Sequence, residues 1–200
     1  MPKLIDHEKR KEEIAEATWR VIVKLGMEGA TVRNIAKEAG LSLGALRHYF
    51  STQDELLIYA MQLVKERATA RIEKIALLED DPPKDKIMKL VLELVPTNQE
   101  KMAEMEVWFA FTAYFRHKQE VFDAQHDGIY RGLQKIINYA EQFHMLPKQV
   151  DKDLETERLY ALIDGLALHA LLEPKRVDKE RIERVLVYHL TALFDGGASK

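Results

Sequence analysis

Two hundred residues, 46% hydrophobic and 32% charged, give room for one or two folded domains and exclude a disordered or collagen-like chain. The absence of cysteine removes disulfides, thiolate metal sites and cysteine nucleophiles. A formal net charge of -3 excludes a strongly basic protein that coats nucleic acid without regard to sequence.

The opening segment, MPKLIDHEKRKEEI, carries too many charges for a signal peptide. No later apolar run approaches the roughly 18 residues of a membrane span, so a cytoplasmic protein without a membrane partner is expected. Apolar residues recur at helical spacing along the chain, with no strand-like alternation and no internal repeat. The first helix is predicted over about 6–25, with Ile14, Ala17, Thr18, Val21 and Ile22 on one face and Gly26 as its stop. Thr31 caps a second helix, which turns Ile35, Ala36 and Ala39 inward; Gly40 makes a tight turn; Ser42 caps a third helix over 43–49. Two short capped helices across such a turn form a helix-turn-helix, the unit that lays its second helix in the major groove of DNA. Charge agrees modestly: the first 53 residues hold 9 Lys/Arg against 7 Asp/Glu, leaving 21 against 26 for the rest.

Ser51 or Thr52 caps a long fourth helix reaching about residue 78, with Asp54 and Glu55 in its first turn, where the helix dipole favours acids. The acidic, proline-containing run at 79–83 reads as a linker. Five further helices are predicted over about 83–95, 98–117, 119–144, 153–172 and 178–194. The fold class is therefore all-α, with about nine helices. Two stretches, 107–115 and 159–172, are apolar around most of their circumference, which marks helices buried on every side. The first is expected in the middle of the body and the second against another copy of the chain. The last two helices are expected to pair with their symmetry mates in a four-helix interface built on Leu162, Leu166, His169, Ala170, Val185 and His189.

An aromatic cluster, Trp108, Phe111, Phe115, Phe122, His126 and Tyr130, is the candidate pocket for a drug-sized ligand, although the same residues also read as core. Asp164, inside an apolar stretch, needs a partner such as Arg158 or a group from a second copy. Glu141 with His144, and Asp123 with His126, have the spacing of helical metal ligands. Both pairs fall on one predicted helix and lack the complementary carboxylates, so no metal and no other cofactor is expected. With no complete carboxylate–histidine set and no glycine-rich phosphate loop, an enzyme is not expected either.

The runs GATVRNIA at 29–36, AGLS at 39–42, GAL at 44–46, YF at 49–50 and ELL at 55–57 align without gaps, over about 10–57, with the N-terminal pattern of the TetR family of transcriptional regulators, which the chain resembles. LVP at 94–96 followed by WFAF at 108–111 is similar to the BetI-like subgroup. The resemblance implies a homodimer that binds a palindromic double-stranded DNA operator, usually as a repressor, until a small-molecule inducer of unknown identity enters the helical body. It divides the chain into a DNA-binding head, 1–50, and a ligand-binding and dimerisation body, 51–200. Carried over position by position, it implies that Leu43, Gly44, Ala45, Arg47 and Tyr49 face the major groove. It implies that Arg33 contacts DNA from the second helix and that the Thr31 cap touches a phosphate; the Ser42 cap belongs to the same interface. Arg47 and His48 lie about 100° apart on their helix. Arg47 is expected at the bases and His48 at the backbone. Arg47 stands where many members have Tyr, and Arg can bridge a guanine through two hydrogen bonds. Gln53 stands where Lys is common. It can still donate to a phosphate but releases no counterion, so a weaker salt dependence is expected.

Overall fold

A computed structural model describes residues 6–78, 80–117 and 128–195. Among them are nine helices and no strand: α1 (His7–Gly29), α2 (Val32–Glu38), α3 (Leu43–Tyr49), α4 (Gln53–Ala76), α5 (Pro83–Leu92), α6 (Gln99–Phe115), α7 (Gly128–Gln142), α8 (Lys152–Leu172) and α9 (Lys179–Phe194). No helix among these residues is long and apolar enough to cross a membrane.

Capping chemistry sets most of the boundaries. Asp6 accepts from the Lys9 amide at 3.2 Å, Thr31 from Asn34 at 3.2 Å, Ser42 from Ala45 at 3.1 Å and Asp178 from Arg181 at 2.8 Å. Asp151 accepts from two amides, Asp153 and Leu154, both at 3.1 Å. Each such bond satisfies an amide that the first turn of a helix leaves without a partner. At α4 the Thr52 hydroxyl accepts from the Glu55 amide at 3.0 Å, while the Glu55 carboxylate accepts from the Ser51 amide at 2.8 Å, a close variant of the reciprocal capping box. Inside α1, Gly26 takes φ 70° and ψ −179°, a conformation open essentially to glycine alone, so the regular helix breaks where the sequence predicts its stop.

The chain divides into two compact units, which are described separately. The first comprises Met1–Arg67 and Ala103–Phe122. Its core joins Ile14, Val21 and Ile22 of α1, Ile35 of α2, Leu46 of α3 and Leu56, Leu57 and Met61 of α4 with Val107, Phe111 and Phe115 of α6. The apolar stretch of α6 is thus not the middle of a separate body. Its residues at i, i+4 and i+8 form one ridge that fills the core formed with α1 to α4. Trp19 anchors α1 to α4: its indole N–H donates to the Ala60 carbonyl at 2.9 Å, and the Arg67 guanidinium, which also pairs with Glu16, lies 4.9 Å from its ring centroid.

The second unit comprises Ala68–Met102 and Asp123–Lys200. Its core is built from Ile87 and Val91 of α5, Leu133 and Ile137 of α7, Leu159, Ile163, Leu166 and Ala170 of α8, and Ile182, Leu186 and Leu190 of α9. Leu166 and Ala170 are 8% and 1% exposed, so these two expected interface residues are instead occupied within their own subunit. They sit at i+3 and i+7 from Ile163, on the stripe of α8 that packs into this core, where α8 meets α7. Beside this core, Glu93 binds two cations: its carboxylate accepts from Arg71 at 2.9 Å and from Lys101 at 2.8 Å. α4 takes part in both units, with Leu56 to Val64 in the first core and Ile72 and Ile75 against the second.

Candidate nucleic-acid interface

Local chemistry fixes the turn between α2 and α3. Gly40 has φ 67°; its amide donates to Lys37 at 3.2 Å, and the Leu41 amide reaches back to Ala36 at 2.9 Å. This is the double hydrogen bond of a Schellman stop, with glycine in the left-handed position. Any residue with a Cβ is disfavoured there by about 1–2 kcal/mol. α3 then starts on the Ser42 cap and buries Leu46 completely. One buried residue in seven leaves an exposed arc made of Leu43, Gly44, Arg47 and His48. Ala45 and Tyr49 are half-buried, and Tyr49 packs against the first core.

The electrostatics separate the cations of the head into two groups. Arg33, Lys37 and Arg47 are exposed, and their side chains make no hydrogen bond or ion pair among the described residues. Arg20 and Lys24 are held by Glu38, at 2.8 Å and 3.2 Å. Hydrogen bonds from Arg20 and then Lys24 keep the Glu38 carboxyl below the ordinary carboxylate range. A lowered carboxylate favours the fold above its unfolded pKa, and that contribution disappears as pH falls through the folded value. Glu38→Gln is therefore expected to melt at a lower temperature than the wild type at pH 7. The gap should close as the pH drops below about 4, as read by thermal denaturation across that range.

Two side-chain amides secure the entrance to α2. Asn34 donates to the Gly29 carbonyl at 2.9 Å, and Gln53 donates to the Ala30 carbonyl at 3.0 Å. Gln53 thus ties the start of α4 to the residue before the exposed Thr31 cap.

Of the aromatic candidates for a pocket, Trp108, Phe111 and Phe115 meet in the first unit. Phe111 and Phe115 are core residues of the first unit, with ring centroids 4.4 Å apart, and Trp108 is half-buried with the Lys65 ammonium 5.5 Å from its ring centroid. Tyr130 belongs to the second unit, with its ring 6.2 Å from that of Tyr160. Phe122 and His126 lie outside the described residues. Sequence reasoning passed over another face of α6. Met105, Glu106, Phe109 and Thr112 are all half-buried, the Thr112 hydroxyl oxygen is buried without a hydrogen-bond partner, and burial pushes the Glu106 carboxyl up. The available signal was the acid and the threonine interrupting an apolar helix. A groove of about 480 Å³ in the first unit is lined in part by Lys11, Phe50, Ile58 and Tyr59 and includes none of the predicted pocket residues.

On α8 and α9, Leu162, Val185 and His189 are half-buried and His169 is exposed. The His189 Nε2 is buried without a partner; burial, and then the charge of Arg158, hold its pKa below the usual imidazole range. The large apolar residues left exposed on these helices are Leu154, Leu168, Leu172, Val187 and Tyr188. Asp164 is half-buried, and Glu141 pairs with Lys152 at 2.8 Å. No three His, Asp or Glu side chains converge as metal ligands among the described residues.

The profile of bacterial regulatory proteins of the tetR family matches residues 14–60, and that of the C-terminal part of BetI-type transcriptional repressors matches residues 83–195. The chain is 63% identical over 193 residues to the HTH-type transcriptional regulator PksA of Bacillus subtilis strain 168, covering 96% of this chain and 94% of that protein. It is 31% identical over 185 residues to the HTH-type transcriptional regulator BetI of Stenotrophomonas maltophilia strain R551-3, covering 92% and 93%. A solved transcriptional regulator from Rhodococcus sp. Rha1 is similar at TM-score 0.80 and 26% identity, over 93% of this chain and 96% of that one. Another, from Saccharomonospora viridis and solved in complex with choline, has TM-score 0.75 and 21% identity over 92% and 96%. These relatives are regulators of transcription, not enzymes.

Proposed function

The chain belongs to the TetR family of bacterial transcriptional regulators, with a BetI-type C-terminal part, and on that premise we propose that it is a homodimeric repressor. Residues 1–50 bind a palindromic operator in the cytoplasm, and a small molecule bound within residues 51–200 releases it. The observation that carries this reading is the exposed arc of α3 with an unpaired Arg47 on it. Dimers, palindromic operators and ligand control are typical of the family. Thr31, Arg33, Ser42, Leu43, Gly44 and His48 complete the DNA contacts. Ala45 and Tyr49 back them from the half-buried side, and Gln53 holds the loop beneath Thr31.

Two recognition helices must stand about 34–36 Å apart, one turn of DNA, to enter successive grooves. α4 carries core residues of both units, so a ligand that displaces it changes that spacing, and coupling of about 1–3 kcal/mol is the usual scale. The ligand is proposed to meet the α6 face of Met105, Glu106, Phe109 and Thr112. The choline held by the Saccharomonospora viridis protein makes a cation a sensible first ligand to test against Glu106.

Selection of bound fragments from genomic DNA tests the function. An enriched inverted repeat is expected, and no enrichment even at low salt would overturn the reading. The second copy is proposed to cover the apolar face of Leu168, Leu172, Val187 and Tyr188, with His169 and His189 beside it. Leu172 and Tyr188 are 65% and 79% exposed, so Leu172→Glu with Tyr188→Glu should keep the helical circular dichroism. The pair is expected to shift sedimentation from dimer to monomer.

A further inference from the structure

His7 lies at the start of α1, outside the helix-turn-helix, yet its ring meets two residues of the recognition helix. Its centroid is 6.0 Å from that of His48, edge to face, and 4.8 Å from that of Tyr49; the His48 and Tyr49 rings are 5.5 Å apart. We propose that His7 and His48 form an imidazole pair that grips one backbone phosphate of the DNA, which makes operator binding proton-linked. The inference rests on the DNA-binding reading and adds to it a residue and a proton.

Position supports it first. His48 closes the exposed arc of α3, one helical turn from Gly44 and next to Arg47, and His7 flanks the edge of that arc. Tyr49 is half-buried against the first core, so its ring gives both imidazoles a fixed floor. Chemistry comes next. A neutral imidazole offers one N–H donor and a protonated one offers two, and a phosphate oxygen accepts a charge-assisted hydrogen bond from either ring. Phosphate contacts of this kind set register and orientation without reading sequence.

Charged groups among the described residues stand on both elements of the pair. On α1, the Glu8 carboxylate lies 3.8 Å from His7 Nδ1 and is shared with Lys11 at 3.5 Å. On α3, Arg47 is the neighbouring residue, and the Tyr49 ring is the remaining contact. With ring centroids 6.0 Å apart, the two imidazoles are close enough for one phosphate to reach both. A phosphate held by both rings favours the protonated imidazole over the neutral one, so DNA binding is expected to take up a proton.

The test is the affinity of the full chain for its enriched operator duplex between pH 8 and pH 6 at constant ionic strength. Wild-type affinity is expected to rise about three- to tenfold over that range, with uptake of up to about one proton. His48→Gln and His7→Phe should each bind more weakly than the wild type, most of all at pH 6, and so lose most of that slope. Phe keeps the ring packing but cannot hold the proton, so it separates a phosphate grip from simple packing of α1 on α3. Wild-type affinity that does not change with pH, or a slope unaltered in both variants, would overturn the inference. Absence of binding at every pH would instead count against the DNA-binding reading itself.

Discussion

Arg47→Ala is expected to weaken operator binding by about 1–3 kcal/mol, roughly 5- to 150-fold, with most of the loss confined to one base pair in each half-site. The side chain is exposed on the recognition helix and is tied to no acid, unlike Arg20 and Lys24, so its charge is available to DNA. Gly44, one turn earlier on the same arc, has no side chain to hold the helix away from the groove, and a Cβ placed there would meet nothing within 4 Å of the protein itself. His48 is turned toward His7 and Tyr49, which leaves Arg47 as the long donor on the arc. Titration of the enriched operator and of single-base variants with both proteins checks this. A uniform loss across all sequences, with a salt slope reduced by about one, would assign Arg47 to a phosphate instead.

Glu93→Leu is expected to destabilise the second unit by about 3 kcal/mol, the low end of what breaking a buried ion pair costs. The ionic side chains are 16% exposed for Glu93, 10% for Lys101 and 25% for Arg71. Removing the carboxylate takes the counter-charge from Lys101, whose side chain water reaches poorly. Lys101 keeps the Leu92 carbonyl at 3.0 Å and the Thr97 hydroxyl at 3.3 Å, which soften the loss without supplying a counter-charge. Lys101→Met added to Glu93→Leu should recover part of the stability, because the stranded charge and not the missing contact is the larger cost. Urea unfolding of the two single variants and the double variant reads the coupling. Since Arg71 lies on α4, the Glu93 variant also tests whether loosening the far end of that helix alters operator affinity.

The two effects differ in how far the sequence alone reveals them. The exposed position of Arg47 is legible in the sequence because its motif is local: two caps, a left-handed glycine and a seven-residue helix place it on an exposed arc whatever else the chain does. Glu93 reads in sequence as one acid in LVLELV. Its importance depends on Arg71, 22 residues earlier, and Lys101, 8 residues later, meeting at one carboxylate.

The same division runs through the molecule. Thr31, Ser42, Asp151 and Asp178 cap their helices, and Gly26 and Gly40 take positive φ, because each depends on backbone groups within a turn or two of itself. The all-α class, the helix-turn-helix and the family were therefore determined by the sequence alone. Where a helix is apolar all round, periodicity carries no direction. Packing alone decided that Leu166 and Ala170 face inward while Leu168 and Leu172 face out, and that Phe111 and Phe115 fill the core of the head helices. The same holds for charge and for rings. Glu38 selects which head cations are neutralised from 14 and 18 residues away, and His7 reaches a partner 41 residues along the chain. These pairings come from burial and Coulomb attraction between segments that only the tertiary fold brings together.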